Sequence, residues 1–202
     1  MLAIFLDIET SGLDSYHHRV LEIAFKVLDV QTGDEIFTYQ SIIKQSKEVW
    51  EKRDPASVEF NGFTWEKMLL GQEETVVSQE IVQIFTVLNI ERGKAVYICQ
   101  NPAFDRGFFA QIVDVYTQEK YNWPYHWLDL ASMHWVLQIK RCAEKGVSIP
   151  TEMNLSKNAI AQQFRLPAEI EPHSALNGVN HLILCYSTVV GFGGSAKFLP
   201  KS

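Results

Sequence analysis

Residues 2–8 read Leu-Ala-Ile-Phe-Leu-Asp-Ile, and Glu9 follows. A short apolar run of this kind, closed by polar residues, predicts a buried β-strand over 2–7. On a strand, positions i and i+2 point to the same face, so Asp7 and Glu9 stand side by side at its end. Two carboxylates so placed repel unless a divalent cation lies between them or one takes up a proton. Thr10-Ser11-Gly12-Leu13 then forms a polar, glycine-containing turn whose backbone can approach a ligand closely.

The rest of the chain is organised around that strand. Residues 20–29 predict a second strand, and Gln31-Thr32-Gly33-Asp34 a turn into a third over 35–43. Residues 57–68 read as short helical or irregular structure. Val76, Val77, Ile81, Ile84, Phe85 and Leu88 recur near a 3.6-residue period, which predicts a helix over 75–88. Residues 95–100 form another buried strand, followed by helical spacing from Pro102 to about residue 115. Further helices are expected from about 128 to 144, over 155–164 and over 174–189. Strands first, then strands alternating with helices, give an α/β fold with a mixed sheet. Residues 1–190 are expected to form a single domain and 191–202 a flexible C-terminal tail.

Composition sets limits on function. A chain of 202 residues can bury a full core. Its net charge of −6 argues against coating long nucleic acid through a basic face. The charge leaves open an enzyme that grips a few terminal nucleotides, since bound cations reverse the sign of an acidic pocket. No apolar stretch approaches the ~20 residues of a membrane span, so a cytoplasmic location without membrane contact is expected. Cys99, Cys142 and Cys185 lack zinc-ligand spacing and read as buried, reduced thiols.

Two further elements carry chemistry. In Asn101-Pro102-Ala103-Phe104-Asp105, Asn101 suits an N-cap and Pro102 the first helical position. Asp105 then lies in the first turns of a helix leaving a buried strand, a common location for a site in α/β folds. Phe104 and Phe108 read as core. His173 precedes the helix near Ser174 and is expected on a loop with a mobile ring. Taken singly, Asp105 also reads as a helix-dipole acid and His173 as a cap or surface residue.

Together these elements resemble the DEDDh (DnaQ-like) 3′–5′ exonucleases, the family that includes the proofreading subunit of bacterial replicative DNA polymerase and oligoribonuclease. Asp7-Ile8-Glu9-Thr10-Ser11-Gly12 resembles the family's first motif, and Asn101 to Phe108 its second. Asn61-Gly62-Phe63-Thr64 and Trp127-Leu128-Asp129-Leu130 are similar to secondary features. His173-Ser174-Ala175-Leu176 matches the start of the third motif, but the position of its acid holds Gly178. Asn177, Asn180, His181, Glu169 and Glu171 are the neighbouring side chains that could stand in for it.

The resemblance implies a ribonuclease H-like fold with a mixed five-stranded sheet flanked by helices. It implies two Mg²⁺ or Mn²⁺ ions held by Asp7, Glu9 and Asp105, with His173 as general base. Thr10, Ser11, Gly12, Leu13 and Asn101 would bind the 3′ end of a single-stranded nucleic acid. The product would be nucleoside 5′-monophosphates from single-stranded DNA or short RNA. Losing the fourth acid implies weaker metal affinity and a lower rate. The alternative is a degenerate exonuclease that binds nucleic acid or protein without cutting and gains activity in Gly178→Asp. A polymerase or a replication or repair protein is an expected partner. The chain would be a monomer or a homodimer. The tryptophan-rich stretch 123–135 reads first as core and second as a dimer contact.

Overall fold

The structure is a computed structural model and describes residues 1–171 and 173–194. Among these residues the order is β1 (Leu2–Thr10), β2 (Val20–Asp29), β3 (Glu35–Ile42), α1 (Lys47–Glu51), α2 (Pro55–Asn61), α3 (Trp65–Leu69) and α4 (Glu74–Val87). Then come β4 (Ala95–Cys99), α5 (Pro102–Ile112), α6 (Val115–Lys120), β5 (Trp127–Asp129), α7 (Leu130–Lys145), α8 (Lys157–Gln163) and α9 (Ala175–Val189). The five strands form one mixed sheet in the order β3-β2-β1-β4-β5. The first three are antiparallel neighbours, while β4 runs parallel to β1 and β5 parallel to β4.

The central position of β1 explains its composition. Ile4, Leu6 and Ile8 pack into a core with α4, α5 and Trp123. Ala3 and Phe5 pack on the opposite face against α7, α8 and α9. With both faces covered, every residue up to Asp7 must be apolar. Asp7 and Glu9 continue the Ala3–Phe5 face, so strand alternation alone aims both carboxyls toward α8 and α9.

Several expectations shift in detail. The third strand ends at Ile42, and Val115 opens a separate helix because Asp114 caps it, accepting from the Tyr116 and Thr117 amides. Residues 127–129 form a strand before α7 begins; Asp129 ends β5 and caps α7 through the Ala131 and Ser132 amides. Trp123 is buried and Trp127 stacks on Tyr97 at 4.1 Å, so this part of the aromatic stretch is core. Trp135 is 47% exposed. The expected loose tail is docked at its start. The Gly193 amide donates to Val30 O at 2.9 Å, and Phe192 packs edge-on against Phe5. Residues 195–202 of the tail lie outside the described residues. No helix among the described residues is long and apolar enough to cross a membrane.

Candidate active site

Asp7, Glu9, Asp105 and His173 all line one cleft of about 570 Å³. Its other walls include Thr10, Leu13, Phe60, Asn61, Phe104, Lys157 and Glu169. The cleft lies beyond the C-terminal ends of the parallel neighbours β1 and β4, where β1 enters a turn and β4 leads into α5.

The acids arrive by two local causes. Asp7 and Glu9 come from strand alternation. Asp105 is set by the start of α5, where Asn101 adopts a left-handed φ of 58° and Pro102 opens the helix. Asn101 thus occupies the N-cap position but makes no side-chain cap hydrogen bond. It is exposed and lies outside the residues lining the cleft.

The turn after β1 is occupied by the protein itself. The Ser11 amide donates to Arg19 O at 2.9 Å, and Ser11 O accepts from the Asp54 amide at 2.7 Å. A side chain at Gly12 would meet the His18 ring, so glycine serves an internal close approach there. Ser11 and Gly12 are buried behind the cleft, and of the turn only Thr10 and Leu13 line it. Leu13 is 76% exposed. Asn61 Nδ2 donates to Thr10 O at 3.0 Å, tying α2 to the end of β1 and bringing Phe60 to the rim.

His173 is not on a mobile ring. It is buried, stacks on Phe60 at 4.0 Å with 14° between planes, and places Nδ1 3.1 Å from Glu169 Oε1. Ser174 caps α9 by accepting from the Asn177 amide. The Ala175 amide donates to Glu22 Oε2 at 3.1 Å, while Gln40 Nε2 donates to the other oxygen of that buried carboxylate at 2.6 Å.

Gly178 lies directly over Asp7. A Cβ there would overlap the Asp7 carboxylate, with Asp7 Cγ at 2.6 Å, so the space left by the missing acid is filled by Asp7. Of the possible stand-ins, Asn180 and Glu171 are exposed. His181 is buried behind the cleft with Nε2 3.0 Å from Pro167 O. Glu169 alone of these five lines the cleft.

Lys157, which no motif in the sequence singles out, is placed inside by the fold. Its side chain is 12% exposed, with Nζ 2.8 Å from Glu169 Oε2 and 3.9 Å from Asp7 Oδ1. Burial alone would lower its pKa, but the Asp7 and Glu169 carboxylates hold it above the ordinary lysine value. Burial pushes Glu169 up, yet Lys157 and His173 bring it below the usual carboxylate range. The three acids behave oppositely. Burial and neighbouring acids push Glu9 up to about 8 and Asp105 well above its ordinary value. Burial raises Asp7 to about 6 in spite of Lys157.

A desolvated trio of carboxyls that raise one another's pKa is the donor chemistry of a hard divalent cation, whose charge would let all three ionise. Asp7, Glu9 and Asp105 therefore fit such an ion chemically. As the side chains stand, no group of three or more His, Cys, Asp or Glu among the described residues could hold a metal ion.

With the geometry in view, the sheet order and its flanking helices can be compared with known folds. Exonuclease I superimposes with a TM-score of 0.71 at 16% identity, covering 94% of this chain and 41% of that one. The fold is ribonuclease H-like. Cell-death related nuclease 4 gives 0.65 at 17% identity, covering 95% of this chain and 65% of that chain. A zinc-bound complex of E. coli exonuclease I with single-stranded DNA gives 0.69 at 18% identity, covering 93% and 40%. This chain thus spans from two-fifths to about two-thirds of the length of these neighbours. No protein-family model matches the sequence, and no curated protein matches it.

Proposed function

We propose that the chain is a 3′–5′ exonuclease of the DEDDh type, acting on the 3′ end of single-stranded DNA or short RNA and releasing nucleoside 5′-monophosphates. The observation that carries this reading is the gathering of Asp7, Glu9 and Asp105 with His173 in one cleft. The nuclease neighbours, one of them holding zinc and single-stranded DNA, support it.

Asp7, Glu9 and Asp105 would hold a divalent cation such as Mg²⁺ or Mn²⁺. When bound, that cation supplies Lewis acidity toward the phosphoryl oxygen and lowers the pKa of a bound water. The protein's own part follows from its contacts. Glu169 engages His173 Nδ1, which leaves Nε2 to take the proton of the attacking water. Phe60, stacked on the His173 ring, fixes its plane. Leu13 and the 63% exposed Phe60 present apolar surface against which the terminal base can lie. Lys157 places positive charge beside the reacting phosphate.

The test is release of mononucleotides from a 3′-labelled oligonucleotide in Mn²⁺, compared with Asp7→Ala. Equal release by both proteins, or none by either, would overturn the reading.

A second reading, that the cleft holds a 3′ end without cutting it, is favoured by the glycine in place of the fourth acid. It requires oligonucleotide binding without turnover in the same assay.

A further inference from the structure

We propose that the Lys157 ammonium is a built-in cation that takes the place of one of two metal ions, so that this cleft accepts a single divalent ion. The inference rests on the nuclease reading, in which Asp7, Glu9 and Asp105 hold a cation, and it specifies how many they hold.

The ammonium has the surroundings of a bound ion. Nζ faces Glu169 Oε2 at 2.8 Å, the Gly178 carbonyl oxygen at 3.3 Å and Asp7 Oδ1 at 3.9 Å. All three partners are oxygens, one from the Asp7 carboxylate and one from the backbone at Gly178, the position where the fourth acid would stand. Lys157 is the first residue of α8, and Ser156 caps that helix through the Ala159 amide. The lysine stem therefore starts from a fixed point rather than a free loop.

The remaining carboxylate on that side is already committed. One Glu169 oxygen faces Lys157 and the other faces His173 Nδ1 at 3.1 Å. His181 Nδ1 lies a further 3.7 Å from Glu169 Oε2. The Glu169 side chain is only 5% exposed and cannot swing toward a second ion without giving up its contacts to Lys157 and His173 inside the protein. Gly178 contributes no carboxylate, and its missing side chain is what lets Asp7 lie against α9 within reach of Lys157. Glycine at 178 and lysine at 157 are then one arrangement: the lost acid removes a negative charge, and the lysine makes a second divalent ion unnecessary.

The chemistry divides accordingly. An ammonium neutralises phosphate oxygens and donates hydrogen bonds to them, but it cannot acidify a bound water. Water activation stays with His173 and the ion at Asp7, Glu9 and Asp105, while Lys157 offsets charge on the phosphate side.

The test is a count of Mn²⁺ bound by the full chain without nucleic acid, by titration calorimetry and by loss of free-Mn²⁺ electron paramagnetic resonance signal. One ion is expected in the wild type, one in Lys157→Arg and two in Lys157→Met. Two ions in the wild type, or none, would overturn the inference, as would a single ion in folded Lys157→Met. Should Lys157→Met fail to fold, the wild-type count decides alone. Nucleotide release is read separately. A wild type that binds two ions and degrades oligonucleotides overturns the single-ion site and leaves the nuclease reading intact. One ion without release from any oligonucleotide does the reverse.

Discussion

The Asp7 carboxylate occupies the volume into which a side chain at Gly178 would grow. Restoring an acid at 178 therefore requires Asp7 to turn away from α9 and from Lys157. Gly178→Asp is expected to give no gain in nucleotide release. Gly178→Ala should cost activity as well, because the displaced carboxyl is the one the cation needs. Helix propensity favours alanine by about 1 kcal/mol, whereas overpacking costs about 1–3 kcal/mol. The net change in stability should lie between zero and about 2 kcal/mol of destabilisation, measured by denaturant unfolding. Clear stabilisation by Gly178→Ala would show that Asp7 moves freely.

The metal-free protein should lose stability as pH rises. Glu9 goes from an ordinary 4.5 to about 8 in the fold, and Asp7 from 3.8 to about 6. Between those limits the folded chain keeps protons that the unfolded chain has released, so the unfolding free energy falls with pH. In chelator, Tm should decline from pH 5 to pH 8.5, by about 2–4 °C for each kcal/mol lost. Saturating Mn²⁺ should flatten the decline, and Glu9→Gln should reduce it. A Tm that rises over this interval in chelator would contradict the charge environment described.

Much of this was legible from the sequence, for identifiable reasons. The second strand appears over the residues expected, because its apolar pattern is closed on both sides by turn residues. The acids were legible because D-x-E on a strand and Asn-Pro before a helix place carboxyls by local geometry alone. The five-residue α1 is too short to show a period, and β5 is three residues whose last member is also a helix cap. Lys157 and Glu169 were unreadable as a pair, since nothing local distinguishes a lysine at a helix start from a solvated one. Glycine at 178 shows in the sequence only as a missing acid; the packing of α9 on β1 reveals that Asp7 fills its place.

His173 should depend on its stacking partner. Removal of the base in His173→Ala is expected to lower turnover by about 10²–10⁴-fold. Phe60→Ala leaves the imidazole in place but frees its plane, and should lower turnover by up to about 100-fold. The Mn²⁺ count should be unchanged in Phe60→Ala. Equal turnover in Phe60→Ala and wild type would show that Glu169 orients the ring unaided.

Trp123 provides a test of the scaffold away from the chemistry. It is buried beside Phe85, with ring centroids 4.6 Å apart, on the sheet face opposite α9. Trp123→Ala should cost about 3–5 kcal/mol in denaturant unfolding. A loss below about 1 kcal/mol would mean that this aromatic cluster does not anchor the sheet.

The buried Glu22 carboxylate, joined to the first amide of α9 and to Gln40 on the neighbouring strand, fixes where that helix begins. It is a latch between layers: α9 cannot slide along the sheet without breaking these buried hydrogen bonds. His173, next to the Ser174 cap, is then anchored beside a stationary helix end. Glu22→Ala would leave the Ala175 amide and Gln40 without that acceptor, while α9 stays held by its apolar face.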